Sequence, residues 1–163
     1  VSGFRSAPGG GARIRLHPQE AAFLADLARQ VATLIADRTD AHDDPVLERL
    51  LPDAYLDAPE DAAEFRRFTE DELGDAKVRN AMTVLESVTA EPGAKRVDIV
   101  LDAAGVGAWL RSLTDIRLAL AIRLEITEEG APPDLDEPDR INYAIYNWLG
   151  TLQGSLVAAI DRR

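Results

Sequence analysis

The stretch that most restricts what this chain can fold into is Ala108 to Thr127, AWLRSLTDIRLALAIRLEIT. Trp109, Leu113, Ile116, Leu120 and Leu124 recur there at helical spacing, and at 100° per residue they fall within about 80° of one another. Leu110 and Ala121 widen the stripe. Leu118, Ile122 and Ile126 add apolar groups on the opposite side. A helix apolar over most of its circumference is wrapped by other elements. The spacing therefore predicts a central helix over about 108–127, with Trp109 as a core anchor, in a mainly α, multihelical domain.

The remaining segments supply what would wrap it. Residues 1–12 contain SAPGGGA, expected to be a flexible N-terminal segment, and GGGA lacks the Gly-Lys-Ser/Thr of a phosphate loop. Residues 13–163 are expected to form a single helical domain, a size suited to one core. Residues 13–16 alternate polar and apolar, as do residues of 96–101, and these two stretches predict a small two-stranded β ribbon. Such a ribbon is marginal alone and must lie on helices. Helices are predicted over 18–37, 45–51, 60–73, 76–88 and 138–161. Gly74 separates the third and fourth, with Asp75 as a cap. Gly105 and Gly107 are expected to loosen the turn before the central helix. In the last helix Ile141, Ile145, Trp148, Leu149, Leu152, Leu156 and Ile160 form a stripe, making Trp148 a second core anchor. Gly150 and Gly154 have a spacing that suits close helix packing.

Charge is unevenly placed. The formal net charge is −11. Residues 43–72 hold eleven Asp or Glu against three Arg, residues 128–139 hold six acids and no base, and the remainder carries +3. An acidic molecule repels phosphates at long range, so contact with DNA is not supported by charge. No apolar run approaches the roughly 20 residues of a membrane span, and no signal-peptide core is visible, so a cytoplasmic location is expected.

Chemistry is sparse. There is no cysteine and there are two histidines, which excludes thiolate chemistry and sites built from several His ligands. His42-Asp43-Asp44 reads as a capping loop. Asp134, Asp136, Glu137 and Asp139 lack the spacing of an EF-hand. Walker, Rossmann, His-Glu-x-x-His and Gly-x-Ser-x-Gly patterns are absent. No cofactor or metal is expected, and an enzyme is disfavoured. Arg117 lies about 80° round from Trp109, on the apolar side of the central helix. A guanidinium there needs carboxylates, carbonyls or a partner. Asp115 faces elsewhere and is a poor local partner for it. Tyr146, 160° from Trp148, is the candidate exposed aromatic for a protein contact.

Four stretches carry a resemblance: FRSAPGGGARIRLHPQEAAFLADL (4–27), LLPDAYLDAPEDAAEFRRFTEDEL (50–73), WLRSLTDIRLALAIRL (109–124) and YNWLGTLQGSL (146–156). In this order they resemble a family of small actinobacterial proteins of unknown function encoded beside the gene for the Clp adaptor ClpS. Some members are described as AosR-like oxidative-stress transcriptional regulators. The resemblance implies a regulator working through protein contacts with RNA polymerase or a stress sigma factor. A Clp-protease accessory protein is the alternative, and a small-ligand enzyme a distant third. Family members sense oxidants through a pair of cysteines near the N-terminus. This chain has none, so that switch does not carry over. An open edge of the strand pair would offer a route to a homodimer.

Overall fold

A computed structural model describes residues 3–38, 44–52 and 60–162, with side chains described from residue 68 onward in the last span. Three strands, β1 (Arg5–Ala7), β2 (Gly11–Leu16) and β3 (Val97–Leu101), form one antiparallel sheet in the order β1-β2-β3. Five helices accompany it: α1 (Pro18–Ala36), α2 (Pro45–Leu50), α3 (Glu60–Ser87), α4 (Ala103–Arg123) and α5 (Glu137–Asp161). Helix α4 packs against the four other helices and against β2 and β3. The expectation of a mainly helical fold around this helix is met, and the ribbon expected from 13–16 and 96–101 gains a third strand.

The sheet has two unlike faces. Ile14, Leu16, Val97, Ile99 and Leu101 point inward and are buried. Register pairs Ile14 with Ile99 and Leu16 with Val97, so one apolar row lies over the helices. The alternate residues Arg13, Arg15, Asp98 and Val100 are exposed.

Residues 3–12, expected to belong to a flexible segment, carry strand β1 and the turn that follows it. Phe4 supplies the reason. Its ring is buried edge-on against Trp109, with centroids 5.5 Å apart. Its backbone N–H donates to Ser155 Oγ at 3.0 Å. This anchor delivers Arg5–Ala7 to the edge of β2. The turn between them, Pro8–Gly10, uses two glycines at positive φ. Gly11 is obligatory for a different reason: a Cβ there would overlap the carbonyl oxygen of Leu101.

The helix boundaries also differ from the periodicity. Gly74 and Asp75 lie inside the continuous α3 rather than between two helices. The buried face of α3 is built from small residues. Ala81 and Val84 are buried, whereas Met82 is 40% and Phe68 64% exposed. Helix α4 starts earlier than expected, with Asp102 Oδ1 accepting from the Gly105 N–H at 2.7 Å, so both early glycines are helical. It ends earlier too. Ile126 N–H returns to the Ala121 carbonyl at 2.8 Å and Glu125 N–H to Ile122 at 3.2 Å, the paired bonds of a Schellman motif. Glu125 occupies the left-handed position at φ 55°. Of the HDD loop, His42 and Asp43 lie outside the described residues, and Asp44 caps α2 through the Val46 N–H at 2.8 Å.

Two outcomes are expected in urea unfolding. Phe4→Ala should cost about 3 kcal/mol, as loss of a buried aromatic does. Glu125→Gly should stabilise the protein by about 0.5–1 kcal/mol, because glycine relieves the left-handed strain at a helix C-terminus.

Candidate functional site

Among the described residues polar groups gather in several places, each set by a neighbour that the linear sequence does not place beside it. The first is Trp109, which is fully buried. Its indole N–H donates to Ser87 Oγ at 3.2 Å, and that hydroxyl donates to the Thr83 carbonyl at 2.6 Å. The last turn of α3 thus satisfies a donor that burial would otherwise orphan.

The second is an ion pair between α3 and α4. Lys77 Nζ and Asp115 Oδ1 are 2.6 Å apart, with side chains 18% and 3% exposed. The other carboxylate oxygen of Asp115 has no hydrogen-bond partner, and neither does the buried hydroxyl of Ser112, one turn earlier. Burial pushes the Asp115 carboxyl above its ordinary value, and the hydrogen bond and charge of Lys77 pull it partly back. Asp115 does face away from Arg117, as the helical angle requires.

Arg117 forms the third. It is half-buried at the junction of α4 and α5, with its Cζ 4.4 Å from the centroid of the Tyr146 ring. Tyr146 is half-buried rather than fully open, and stacks on Tyr143 at 6.3 Å. Arg117 Nη1 reaches Gln153 Oε1 only at 3.4 Å, and its Nε is buried without a partner. Gln153 in turn donates to Thr114 Oγ1 at 2.6 Å. A Cβ on Gly150 would come within 3.0 Å of Arg117 Nη2, whereas Gly154 faces open space. So Gly150 makes room for an arginine rather than for a helix backbone, and the pair does not act as one small-residue stripe. Trp148 is partly buried against the core, with its Nε1 buried and unpartnered.

A related seat holds Arg38, just past α1. It lies against Gly74, donates to the Ile35 carbonyl at 2.8 Å and to Asp71 at 3.0 Å, and sits 3.6 Å from Asp75. Asp71 and Asp75 are one turn apart on α3, so the guanidinium straddles the glycine between them. This explains a glycine inside a long helix, where it otherwise costs about 1 kcal/mol.

The fourth place is the outward face of the sheet. Arg5 lies opposite Arg13, and Arg13 opposite Val100, so one row crosses all three strands. Arg15 and Asp98 form the next row and pair at 2.6 Å. With Gly3 these residues line an open groove of about 840 Å³. The periodicity of residues 13–16 placed Arg13 and Arg15 on one face. Arg5 was not recognised, because nothing local marks residues 5–7 as a strand. Among the described residues, no three His, Asp or Glu converge as a metal site would require, and no helix is long and apolar enough to cross a membrane.

Residues 1–160 match a family described as a domain of unknown function, DUF2017. The chain belongs to the DUF2017 family. The DUF2017 chain is 31% identical to the oxidative stress regulator AosR of Mycobacterium tuberculosis H37Rv, over 91% of this chain and 81% of that one. The AosR of Mycobacterium bovis matches to the same extent. A protein of Mycobacterium leprae that carries the AosR name is 31% identical over 89% of this chain and 71% of its own length. No solved structure matches. The family resemblance seen in the four sequence stretches, including its AosR-like members, holds for this DUF2017 protein.

The ion pair gives an asymmetric prediction. Lys77→Met strands a carboxylate in an apolar interface and should cost about 3–5 kcal/mol at pH 7. Asp115→Asn should cost less, about 1–2 kcal/mol, because the Lys77 ammonium can reach water. The folded state holds the Asp115 proton more tightly than the unfolded chain does. Wild type should therefore gain stability relative to Asp115→Asn as pH falls through the raised pKa toward the ordinary value of 3.8. Urea titrations of the three proteins between pH 7 and pH 4 measure both effects.

Proposed function

We propose that this protein is a regulator of the oxidative-stress response that acts by contacting the transcription machinery, RNA polymerase or a sigma factor, and not by catalysis. The observation that carries the reading is the similarity to AosR proteins, named as oxidative stress regulators, across nine-tenths of this chain. The distribution of charge supports contact with protein rather than autonomous binding to DNA. Seventeen of the acids lie in two segments, and the molecule carries −11 overall.

The mode of sensing differs from a thiol switch. With no cysteine in the chain, no disulfide can form within it and no thiolate can be oxidised.

The test is a pull-down of purified RNA polymerase holoenzymes, each loaded with a different sigma factor, on the immobilised protein. Retention of one holoenzyme or free sigma factor above the others is expected. Dithiothreitol or prior alkylation of the regulator should leave that retention unchanged. Failure to retain any polymerase subunit or sigma factor would overturn the reading.

A further inference from the structure

The outward face of the sheet carries a charge arrangement that does nothing for the fold. Arg5 and Arg13 are direct cross-strand neighbours, and like charges in that position are destabilising. Both are exposed. Among the described residues neither has a carboxylate within ion-pair distance, whereas Asp98 is engaged by Arg15. Val100 continues the same row and is 75% exposed. Two unpaired guanidiniums beside a bare aliphatic side chain, in a groove of about 840 Å³, sit on a molecule that is otherwise acidic.

We propose that this face docks an extended acidic segment of a partner protein, with a carboxylate at one position and an apolar side chain two positions away. Strand spacing sets the pattern. The midpoint between Arg5 and Arg13 lies one and a half strand separations from Val100, roughly 7 Å. An extended peptide crossing the strands advances roughly 6.6–6.8 Å in two residues, with both side chains on the same side. One carboxylate bridges the two arginines and relieves their repulsion, and the apolar side chain then covers Val100. A nucleic acid fits less well. Its phosphates would engage the arginines, but the row ends on an aliphatic group with no hydrogen-bonding capacity, which an apolar side chain covers and a phosphate does not.

This surface deepens the protein-contact reading, and its test is independent of any polymerase. The probe is a fluorescein-labelled peptide, ESLSESLS, measured by fluorescence anisotropy against the full chain. Comparison probes are QSLSQSLS, ESSSESSS and a short single-stranded DNA. The ESLSESLS peptide is expected to bind best. Arg5→Ala and Arg13→Ala should each weaken it about tenfold, the loss expected for one charge-assisted hydrogen bond. Val100→Ser should weaken it about threefold, for one aliphatic side chain partly covered. Arg29→Ala, an exposed arginine on α1 paired with Asp26, should leave binding unchanged. Circular dichroism establishes that each variant is folded, and Val100→Ser tests the same face without altering charge. Equal binding of QSLSQSLS, wild-type binding by both arginine variants, or preference for the DNA would overturn the proposal. If holoenzyme retention persisted in that case, only the choice of surface would be wrong.

Discussion

An indole cannot be hidden without giving its N–H somewhere to go. Trp109 is the largest side chain in the core and is fully enclosed. Its donor is taken by Ser87 at the end of α3, and its ring edge is met by Phe4 ahead of β1. Those contacts draw together the middle of the chain, its longest helix and its N-terminal strand. The sheet is held on the helices by the same arrangement, since Phe4 also ties its backbone to Ser155 on α5. That enclosure adds an anchor to the three-residue pairing of β1 with β2, and so helps to hold the row Arg5–Arg13–Val100.

Polar side chains in the interior are met mostly by other groups of the protein, although Asp115 Oδ2, Arg117 Nε and Ser112 Oγ are buried without a partner. Arg38 and Arg117 each lie over a glycine of a neighbouring helix, the first between two carboxylates and the second on an aromatic ring. Lys77 and Asp115 neutralise one another. Arg5 and Arg13 find no counterion among the described residues, and they face solvent beside an exposed valine. For a protein of a family whose relatives are named as regulators, this division is the expected one. On the reading proposed above, the exposed face is the part that meets a partner.

Periodicity revealed the strongly patterned elements. The Trp109–Leu124 stripe and the alternation in β2 and β3 each report a face that is buried, and in the last helix Leu149, Leu152 and Leu156 of the expected stripe are buried whereas Ile141 is exposed. It failed where small residues or distant partners decide the outcome. Gly74 looks like a helix breaker until Arg38 is seen to lie on it. The buried face of α3 uses the small residues Ala81 and Val84, whereas the larger Met82 and Phe68 are exposed. Strand β1 is three residues long and is specified by Phe4 reaching a tryptophan more than a hundred residues away. Arg117 was recognisable as an anomaly on an apolar stripe. Its resolution by Tyr146 and Gly150 depends on how α5 is placed, which no local pattern encodes.

Apolar helix faces can pack at more than one offset, and the Lys77–Asp115 pair distinguishes one of them for α3 and α4. Sliding one helix by a turn, about 5.4 Å, would leave the carboxylate against hydrocarbon with no ammonium in reach. The pair therefore works as a detent: it adds little to net stability but makes one alignment distinct from its neighbours. Because Trp109 and Ser87 share that alignment, the detent also sets where the indole meets its acceptor.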